Sequence, residues 1–389
     1  MTRRTGVPLA WRNLTESKLR LASSVAGTAF AVTLMLMQTG FRNALLDSMV
    51  AVIRDLDGEL FLVPRTLYTL ANPLSFPAQR LDQARGFDDV LSASRVYIET
   101  RKGRWRSPAD GLPHRVRVVA YPPEDGTLDL DALKRDRGRW TRADTAMADD
   151  LSKPKNLGRF RPGLRSELSG RRVEIVGNFT MGTDFQNDGT LVMSEVNFLS
   201  IFAGRLGRGP GGHAVNVGVL RVRPGADLGA LGRAIGAALP ADVRVLTKDE
   251  FLAKEVGFWD RVAPIGTIFN IGVAVGFVVG VVICYQVLYA DVSDRLAEFG
   301  TLKAMGYSNG RLFRVVIEQS VYLALLGYAA GLAVSVVMFR WVHTATGLPM
   351  QFKPGLALSV LSLTVLMCVL SGCVAARRLV SVDPARLYE

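Results

Sequence analysis

Cysteine and histidine are scarce in this sequence of 389 residues, which has three of each. All three cysteines lie within long apolar stretches, and the polar middle of the chain has none, which excludes a disulfide-stapled domain. The histidines are far apart and lack ligand-like spacing, so the sequence predicts no metal site. The cysteines are best interpreted as small helix-packing residues: Cys284, Cys368 and Cys373.

The sequence also lacks the common nucleotide-binding and hydrolytic motifs. It has no Gly-x-x-x-x-Gly-Lys-Ser/Thr phosphate loop, and the dipeptide Gly-Lys does not occur at all. Gly-x-Ser-x-Gly and His-Glu-x-x-His are absent too. We therefore predict no catalytic residues and no cofactor in this chain. If ATP drives the protein, another subunit must bind it.

Charge is missing from four stretches, and each is long enough to cross a membrane. A helix of about 20 apolar residues spans the hydrocarbon core. None of the four stretches has a charged residue or histidine at mid-depth, which argues against an ion-coupled carrier or a proton relay. The predicted transmembrane helices 1 to 4 are residues 21–41, 262–290, 319–340 and 354–376, of which the third ends on Arg340, one residue past its uncharged run.

Lysine and arginine in the short flanks predict the orientation. They cluster in the N-terminal segment 1–20, the loop 291–318 and the tail 377–389, which the positive-inside rule places in the cytoplasm. The large segment 42–261 and the short loop 341–353 then lie on the other side of the membrane. A cleaved signal peptide is the alternative for the first span, but its apolar run is longer than a signal core. The net charge of +12 is shared between both sides, so nucleic-acid binding is a poor explanation.

The N-terminal segment predicts a short amphipathic helix at the cytoplasmic membrane surface. Leu9, Trp11 and Leu14 stand among cationic and polar residues over 8–20, and Trp11 suits the headgroup level. A disordered basic tail is the alternative.

The segment 42–261 predicts an α+β domain carried on two helical stalks. Helical spacing continues beyond the first span and recurs over 247–264, where Thr247 and Glu250 form a capping-box pattern. Residues from about 121 to 214 are expected to form an inserted subdomain. Alternating patterns predict strands at 58–63, 115–120, 171–179, 216–222 and 242–247.

A basic cluster at 134–172 has two interpretations. It could bind anionic lipid headgroups or a partner, or it could be a solvated, loop-rich face. The solvated face is the favoured interpretation.

The loop 291–318 is polar but has a helical pattern of its own. Gly306 and Gly310 bracket an expected helix stop and turn. The predicted apolar face holds Leu296, Phe299, Thr301, Leu302 and Met305. The residues expected to face solvent or a partner are Arg295, Glu298 and Lys303.

Small residues recur every four positions in the second span, at Gly272, Gly276 and Gly280. Such a stripe allows another helix to approach closely. We predict a helix-packing face there, which could lie at a subunit interface.

The chain resembles the FtsX/MacB-type ABC transporter permeases, and within them the DevC-type exporter permeases. The residues that carry the resemblance are PLAWRNLT, LMLMQTGFRNALLDS, VLTKDEF, YQVLYADVSDRLAEFGTLKAMGY and MCVLSGCVAARRLVSVDPARLYE. They are spread over essentially the whole chain, and block 121–170 matches least well. The fold implied is four transmembrane helices with a MacB-like periplasmic core domain between helices 1 and 2.

The resemblance implies a homodimeric permease in the bacterial inner membrane that works with two copies of a cytoplasmic ABC ATPase. The ATPase would bind ATP and Mg²⁺, and its closure would be transmitted through the stalks to the periplasmic domain. The further partners implied are a membrane-fusion adaptor, a TolC-like outer-membrane channel and membrane lipids. The coupling residues implied are Arg295, Glu298, Gly300, Lys303, Ala304 and Gly306.

The expected cargo is a lipid, a glycolipid or another amphiphile. Release of lipoproteins from the membrane is the alternative within this fold. An FtsX-like mechanotransducer that controls cell-wall hydrolases is an alternative of a different class.

Overall fold

The computed structural model describes residues 9–202, 213–262, 265–346, 348 and 350–380. The chain divides into two compact units. The helical unit comprises Met1–Asn43, Ile265–Val342 and Met350–Glu389. The sheet unit comprises Ala44–Pro264 and His343–Pro349.

Helices dominate the first unit and flank the sheet in the second. They are α1 (Leu9–Thr15), α2 (Lys18–Asp55), α3 (Gln79–Ala84), α4 (Asp131–Arg135), α5 (Arg137–Trp140), α6 (Pro154–Leu157), α7 (Glu195–Phe202), α8 (Leu228–Ala238), α9 (Lys248–Val262), α10 (Ile265–Asp294), α11 (Leu296–Ala304), α12 (Asn309–Thr346) and α13 (Pro354–Val380).

The strands all lie in the second unit. They are β1 (Leu60–Pro64), β2 (Phe76–Pro77), β3 (Val90–Glu99), β4 (Arg104–Arg106), β5 (Pro113–Tyr121), β6 (Thr145–Asp149), β7 (Arg165–Leu168), β8 (Arg171–Phe179), β9 (Gly189–Ser194), β10 (Ala214–Val215), β11 (Val217–Val222) and β12 (Val243–Thr247).

Four helices of the described chain are long and apolar enough to cross a membrane, which confirms the four predicted spans. All four continue past a predicted limit, and the longest, α2 and α12, each run for 38 residues. The membrane-length segments are Lys18–Asp55, Gly266–Asp294, Asn309–Thr344 and Pro354–Arg377.

The helices of the first unit pack through small and sulfur-containing side chains. Ala31 of α2, Cys284 of α10, Leu323 of α12 and Met367 of α13 belong to one buried cluster. Within it the Sγ atoms of Cys284 and Cys368 are 3.5 Å apart, which agrees with the packing role expected for these cysteines.

The sheet unit is built on ten strands in the order β12-β1-β11-β3-β5-β4-β7-β8-β6-β9. A parallel pairing of β5 with β9 joins the last six strands into a closed ring of pairings. The predicted insertion at 121–214 contributes β6 to β9 and thereby completes this ring. The opposite end of the sheet is β12, which pairs with β1 in antiparallel register.

Alternate residues of the first strand enter two different cores. Leu60 and Leu62 belong to the core shared with α3, α7 and α8, whereas Phe61 belongs to the core on the other face. That second core takes Ile53 from the end of α2 and Phe251 from α9. The helical extensions predicted beyond spans 1 and 2 are thus present and pack in the sheet unit.

The start of α9 confirms the predicted capping box. The Thr247 N–H donates to Glu250 Oε2 at 2.9 Å, and the Glu250 N–H donates to Thr247 Oγ1 at 3.3 Å. These two bonds satisfy backbone donors that a helix start leaves unpaired, which is the physical reason for the pattern.

One buried carboxylate ties α9 to the loop after β1. Glu255 is fully buried, and its carboxylate accepts hydrogen bonds from Thr69 Oγ1 at 2.5 Å, the Leu70 N–H at 3.1 Å and Trp259 Nε1 at 3.0 Å. Burial raises the pKa of Glu255, and these donors oppose the shift. Glu255 therefore fixes the loop on the helix.

Cations of the basic cluster at 134–172 form several ion pairs with neighbouring carboxylates, which agrees with its interpretation as a solvated face. Most of the paired cations are exposed, so water screens these pairs and each contributes little to stability. The pairs are Lys134–Asp129, Arg139–Asp136, Lys153–Asp188, Arg165–Glu174 and Arg171–Asp144.

Candidate functional site

The segment 291–318 contains a short helix between two long ones. Helix α10 ends at Asp294, α11 occupies Leu296–Ala304, and α12 begins at Asn309. Gly306 has a φ of +94°, a left-handed conformation that strongly favours glycine. The predicted helix and its stop at Gly306 are both present.

The inner face of α11 is held by apolar packing. Phe299 is 4 % exposed, and Leu296 and Leu302 pack against the same buried cluster. Gly300 is also buried. The cluster is completed from α10, α12 and α13 by Val292, Leu312, Val316 and Ala376.

Two residues predicted for this apolar face lie elsewhere. Thr301 is exposed, and its hydroxyl donates to the Ala297 carbonyl oxygen. Met305 is 63 % exposed, because α11 ends at Ala304 and the chain turns before another helical turn can bury it. The buried face is therefore shorter than the periodicity predicts.

Arg295 was predicted to point to solvent or a partner, and this is wrong. Its side chain is only 12 % exposed and is surrounded by three carboxylates. Its guanidinium lies 2.6 Å from Glu16, 3.3 Å from Asp291 and 3.7 Å from Glu298. Burial acts to lower the pKa of Arg295, but Asp291 and Glu16 outweigh it and raise the pKa. Arg295 joins the ends of α10 and α11 to the N-terminal segment.

The N-terminal segment forms the predicted helix, although over fewer residues. Helix α1 covers Leu9–Thr15, and Trp11 meets Tyr322 of α12 edge to face with ring centroids 5.5 Å apart. Arg20 adds an ion pair of 2.7 Å to Asp294. The N-terminal residues thus pack beside the 291–318 segment. Residues 381–389 of the predicted cytoplasmic tail lie outside the described residues.

A hydrogen bond also joins the last turn of α10 to the third turn of α12. Gln319 Nε2 donates to Asp291 Oδ2 at 3.2 Å, and both side chains are buried. With Arg295 on its other oxygen, Asp291 connects three elements of the helical unit.

The turn between α11 and α12 presents an exposed patch with an apolar part. Met305, Tyr307 and Phe313 are 63 %, 40 % and 37 % exposed. The guanidinium carbon of Arg311 lies 5.2 Å from the centre of the Tyr307 ring, within cation–π range. We call Met305, Tyr307, Arg311 and Phe313 the turn patch.

Of the six predicted coupling residues, three are freely accessible near the turn patch. Glu298 is 66 % exposed at its side chain, and Ala304 and Gly306 are exposed. Lys303 is partly buried. Arg295 and Gly300 lie inward, where they position the helix.

Sequence reasoning missed the turn patch itself. Tyr307, Arg311 and Phe313 stand beyond the helix stop and alternate with polar residues. The signal that could have indicated it is a group of large apolar residues in a polar loop. Single exposed apolar residues need no explanation, but an exposed group of them often indicates a binding surface.

The three glycines of the second span face other helices of the same chain. A Cβ built on Gly272 would meet the amide end of Gln38, and one on Gly276 would lie 2.7 Å from Leu34 Cδ2. At Gly280 the added atom would lie 2.9 Å from Ala31 Cβ. The glycines let α10 approach α2 closely, and Gly280 also faces Met367 of α13.

The described residues contain no cluster of three or more histidine, cysteine, aspartate or glutamate side chains suited to a metal ion.

Comparisons with known proteins agree with this architecture. Residues 270–384 match the family described as FtsX-like permease C-terminal. An uncharacterized ABC transporter permease of Methanocaldococcus jannaschii is 25 % identical over 355 residues, covering 85 % of this chain and 83 % of the relative.

Solved structures give weaker similarities. The periplasmic region of MacB from Actinobacillus actinomycetemcomitans has a TM-score of 0.37 at 8 % identity, covering 51 % of this chain and 92 % of that one. The extracellular domain of the ABC-type transporter YknZ from Gram-positive bacteria has a TM-score of 0.34 at 15 % identity, covering 49 % and 98 %.

The four apolar helices, the family match over 270–384 and the relative aligned over most of both chains lead to one conclusion. Residues 270–384 form an FtsX-like permease C-terminal region, and the chain is similar over most of its length to an ABC transporter permease. It is a membrane protein with an extracytoplasmic domain between its first and second spans.

Proposed function

We propose that this permease is the membrane-spanning subunit of an ATP-driven exporter of the MacB/DevC type. ATP is hydrolysed in a separate chain, since the sequence has no phosphate loop. Two copies of that ATPase act on a homodimer of this chain in the bacterial inner membrane. The cargo is a lipid, a glycolipid or another amphiphile.

The observation that carries this proposal is the turn patch on a firmly held helix. An exposed apolar group with neighbouring cations is a surface suited to protein contact. Below it, Phe299 is buried and Arg295 contacts three carboxylates, so a push on the patch moves α11 with the ends of α10 and α12. The patch is the docking surface for the ATPase.

Transmission outward would use helices that continue beyond the spans. Helix α2 is uninterrupted from Lys18 to Asp55, and α9 precedes the second span. Helix α2 ends in the core of the sheet unit through Ile53, and α9 begins in it through Phe251. In this mechanism ATPase closure moves the extracytoplasmic domain, and a membrane-fusion adaptor and a TolC-like channel carry the cargo onward.

The test is to change the accessible residues of the segment and measure coupling. Glu298→Lys and Gly306→Trp should leave the chain folded in the membrane, while the ATPase activity of the purified complex no longer rises with export. Matched controls are Glu124→Lys and Gly138→Trp, at exposed positions of the sheet unit. Unchanged export in the first pair would refute the docking surface.

Partner analysis separates the alternatives. Crosslinking in native membranes should capture an adaptor together with the ATPase, and mass spectrometry of the purified complex should find retained lipids. A cell-wall hydrolase as the crosslinked partner would favour the mechanotransducer, and a lipoprotein as the retained cargo would favour lipoprotein release.

A further inference from the structure

The end of the large sheet is an open strand beside a cleft. Strand β12 is last in the strand order, and no other strand of the described chain pairs with its outer edge. Helix α8 packs over the same strand, and between them lies a cavity of about 500 Å³. A cavity of this size is within the range that holds ligands in proteins.

The pairing of β12 with β1 determines which backbone groups face outward. The Arg65 N–H donates to the Asp242 carbonyl oxygen at 2.8 Å, next to the pair Pro64–Val243. Bonded and non-bonded pairs alternate in an antiparallel ladder. Val243 and Val245 are therefore non-bonded partners of β1, and their peptide groups point to the open edge.

Two backbone N–H groups at that edge already have hydrogen-bond partners. The Val243 N–H donates to the Pro240 carbonyl oxygen at 3.4 Å, and the Thr247 N–H is used by the capping box. The N–H and C=O of Val245 and the C=O of Val243 are left directed outward. These are the groups that a short added strand would bond.

The cleft beside the edge has an apolar floor and is bordered on α8 by glycines. Its floor includes Leu60, Val243 and Val245. On α8 the lining positions are Gly229, Gly232 and Gly236, where longer side chains would fill the space. Built Cβ atoms at Gly232 and Gly236 stay 3.6 Å or more from their nearest neighbours, so close helix packing does not require these glycines.

Three arginines line the cleft against one glutamate. They are Arg65, Arg233 and Arg244, of which Arg244 is turned away, since its guanidinium donates to the Leu67 carbonyl oxygen at 2.7 Å. Among the described residues Arg65 and Arg233 take part in no ion pair. Burial and the nearby charge of Arg65 lower the pKa of Arg244. The glutamate, Glu250, already accepts the Thr247 N–H. The cleft is therefore cationic.

We propose that this cleft binds an extended acidic peptide segment of a partner protein, which adds a strand to β12. Its backbone would bond to Val243 and Val245, and alternate side chains would enter the cleft toward α8. Acidic side chains would meet Arg65 and Arg233. Main-chain bonds supply affinity in this mode of recognition, and the pockets for side chains supply specificity.

The test selects random peptides of about seven residues, a typical strand length, against the full chain in nanodiscs. Selected peptides should be acidic with an apolar residue at every second position. Arg65→Glu with Arg233→Glu should weaken their binding about tenfold or more, because charge complementarity is reversed. Gly232→Leu should also weaken binding by filling the cleft, whereas Ala234→Leu, on the exposed side of α8, should not.

Backbone methylation distinguishes strand addition from other binding. Only every second N–H of an added strand faces β12. Methylating one alternate set of amides in a selected peptide should abolish binding, and methylating the other set should preserve it. The proposal is overturned if no peptide prefers the wild-type chain over the Gly232→Leu variant. It is equally overturned if both methylated sets bind, which would indicate an acidic ligand held by charge alone.

Discussion

The guanidinium of Arg295 lies 2.6 Å from the carboxylate of Glu16, across 279 positions of sequence. This contact joins the N-terminal segment to the short helix between the second and third spans. Arg295 also holds the buried Asp291 at 3.3 Å, so it serves two carboxylates in different surroundings. Their exposures differ, because the Glu16 side chain is 67 % exposed and that of Asp291 is 12 % exposed.

Removal of this arginine should destabilise the helical unit far more than removal of its exposed partner. Arg295→Ala leaves Asp291 buried without its cation, and breaking a buried pair costs about 3 kcal/mol or more. Glu16→Gln removes a largely exposed charge and should cost under about 1 kcal/mol. Hydrogen exchange of α1 and α11 in detergent checks this, and equal losses of protection would contradict the role of Arg295 as the central contact.

The glycines of α10 should differ in their tolerance of alanine. At Gly280 a methyl group would lie 2.9 Å from Ala31 Cβ, which cannot move without its backbone. At Gly272 its three nearest atoms all belong to the flexible end of Gln38. Gly280→Ala should therefore lower the unfolding temperature of the detergent-solubilised chain, at an overpacking cost of about 1–3 kcal/mol. Gly272→Ala is the control, and a loss as large in that variant would refute the steric explanation.

Oxidation should link the second and fourth spans. The Sγ atoms of Cys284 and Cys368 are 3.5 Å apart, close enough for a disulfide to form after a small shift. Copper phenanthroline should protect these two thiols from maleimide in the denatured chain and leave one thiol reactive. Cys284→Ala should abolish the protection of Cys368. Three reactive thiols after oxidation of the wild type would show that α10 and α13 do not pack in this way.

The buried carboxylate of α9 should make stability depend on pH with a definite sign. Burial raises the pKa of Glu255 above its ordinary value of 4.5. The folded state thus binds the proton more tightly than the unfolded state, and the stability this gives is lost as pH rises above 4.5 through the raised pKa. Glutamine does not titrate, so Glu255→Gln lacks this loss. The difference in unfolding temperature between Glu255→Gln and wild type should therefore shift in favour of the variant as the pH rises from about 5 to about 7.

Glu124→Gln provides the control for this comparison, because Glu124 is exposed in the same unit. Its unfolding temperature should run parallel to that of the wild type over the same pH range. A parallel course for Glu255→Gln as well would show that the carboxylate contributes nothing to the pH dependence.

The sequence was a good guide wherever local chemistry decides the structure. The spans follow from missing charge, and the Thr247–Glu250 capping box and the stop at Gly306 follow from short-range hydrogen bonding and backbone preference. Strands with both faces buried were harder to predict. All residues of β6 and β9 are buried, so they lack the alternation by which half-exposed strands are predicted.

The position of the candidate site in the chain could be predicted from the sequence, but not which of its side chains are buried and which are exposed. The burial of Arg295 depends on Glu16, a residue distant in the sequence, and no local pattern indicates that pairing. The exposure of Met305 depends on where α11 ends, and helix ends are the least predictable feature of such a pattern. Composition placed the site, and long-range contacts determined which residues are accessible.

The closed ring formed by β5, β4, β7, β8, β6 and β9 has a consequence for how the sheet unit comes apart. A ring has no terminal strand to detach first, so opening it anywhere exposes hydrogen bonds of two neighbours at once. The amides of these six strands should therefore exchange as one cooperative block. Strand β12, bonded on one side only, should lose its protection earlier and independently.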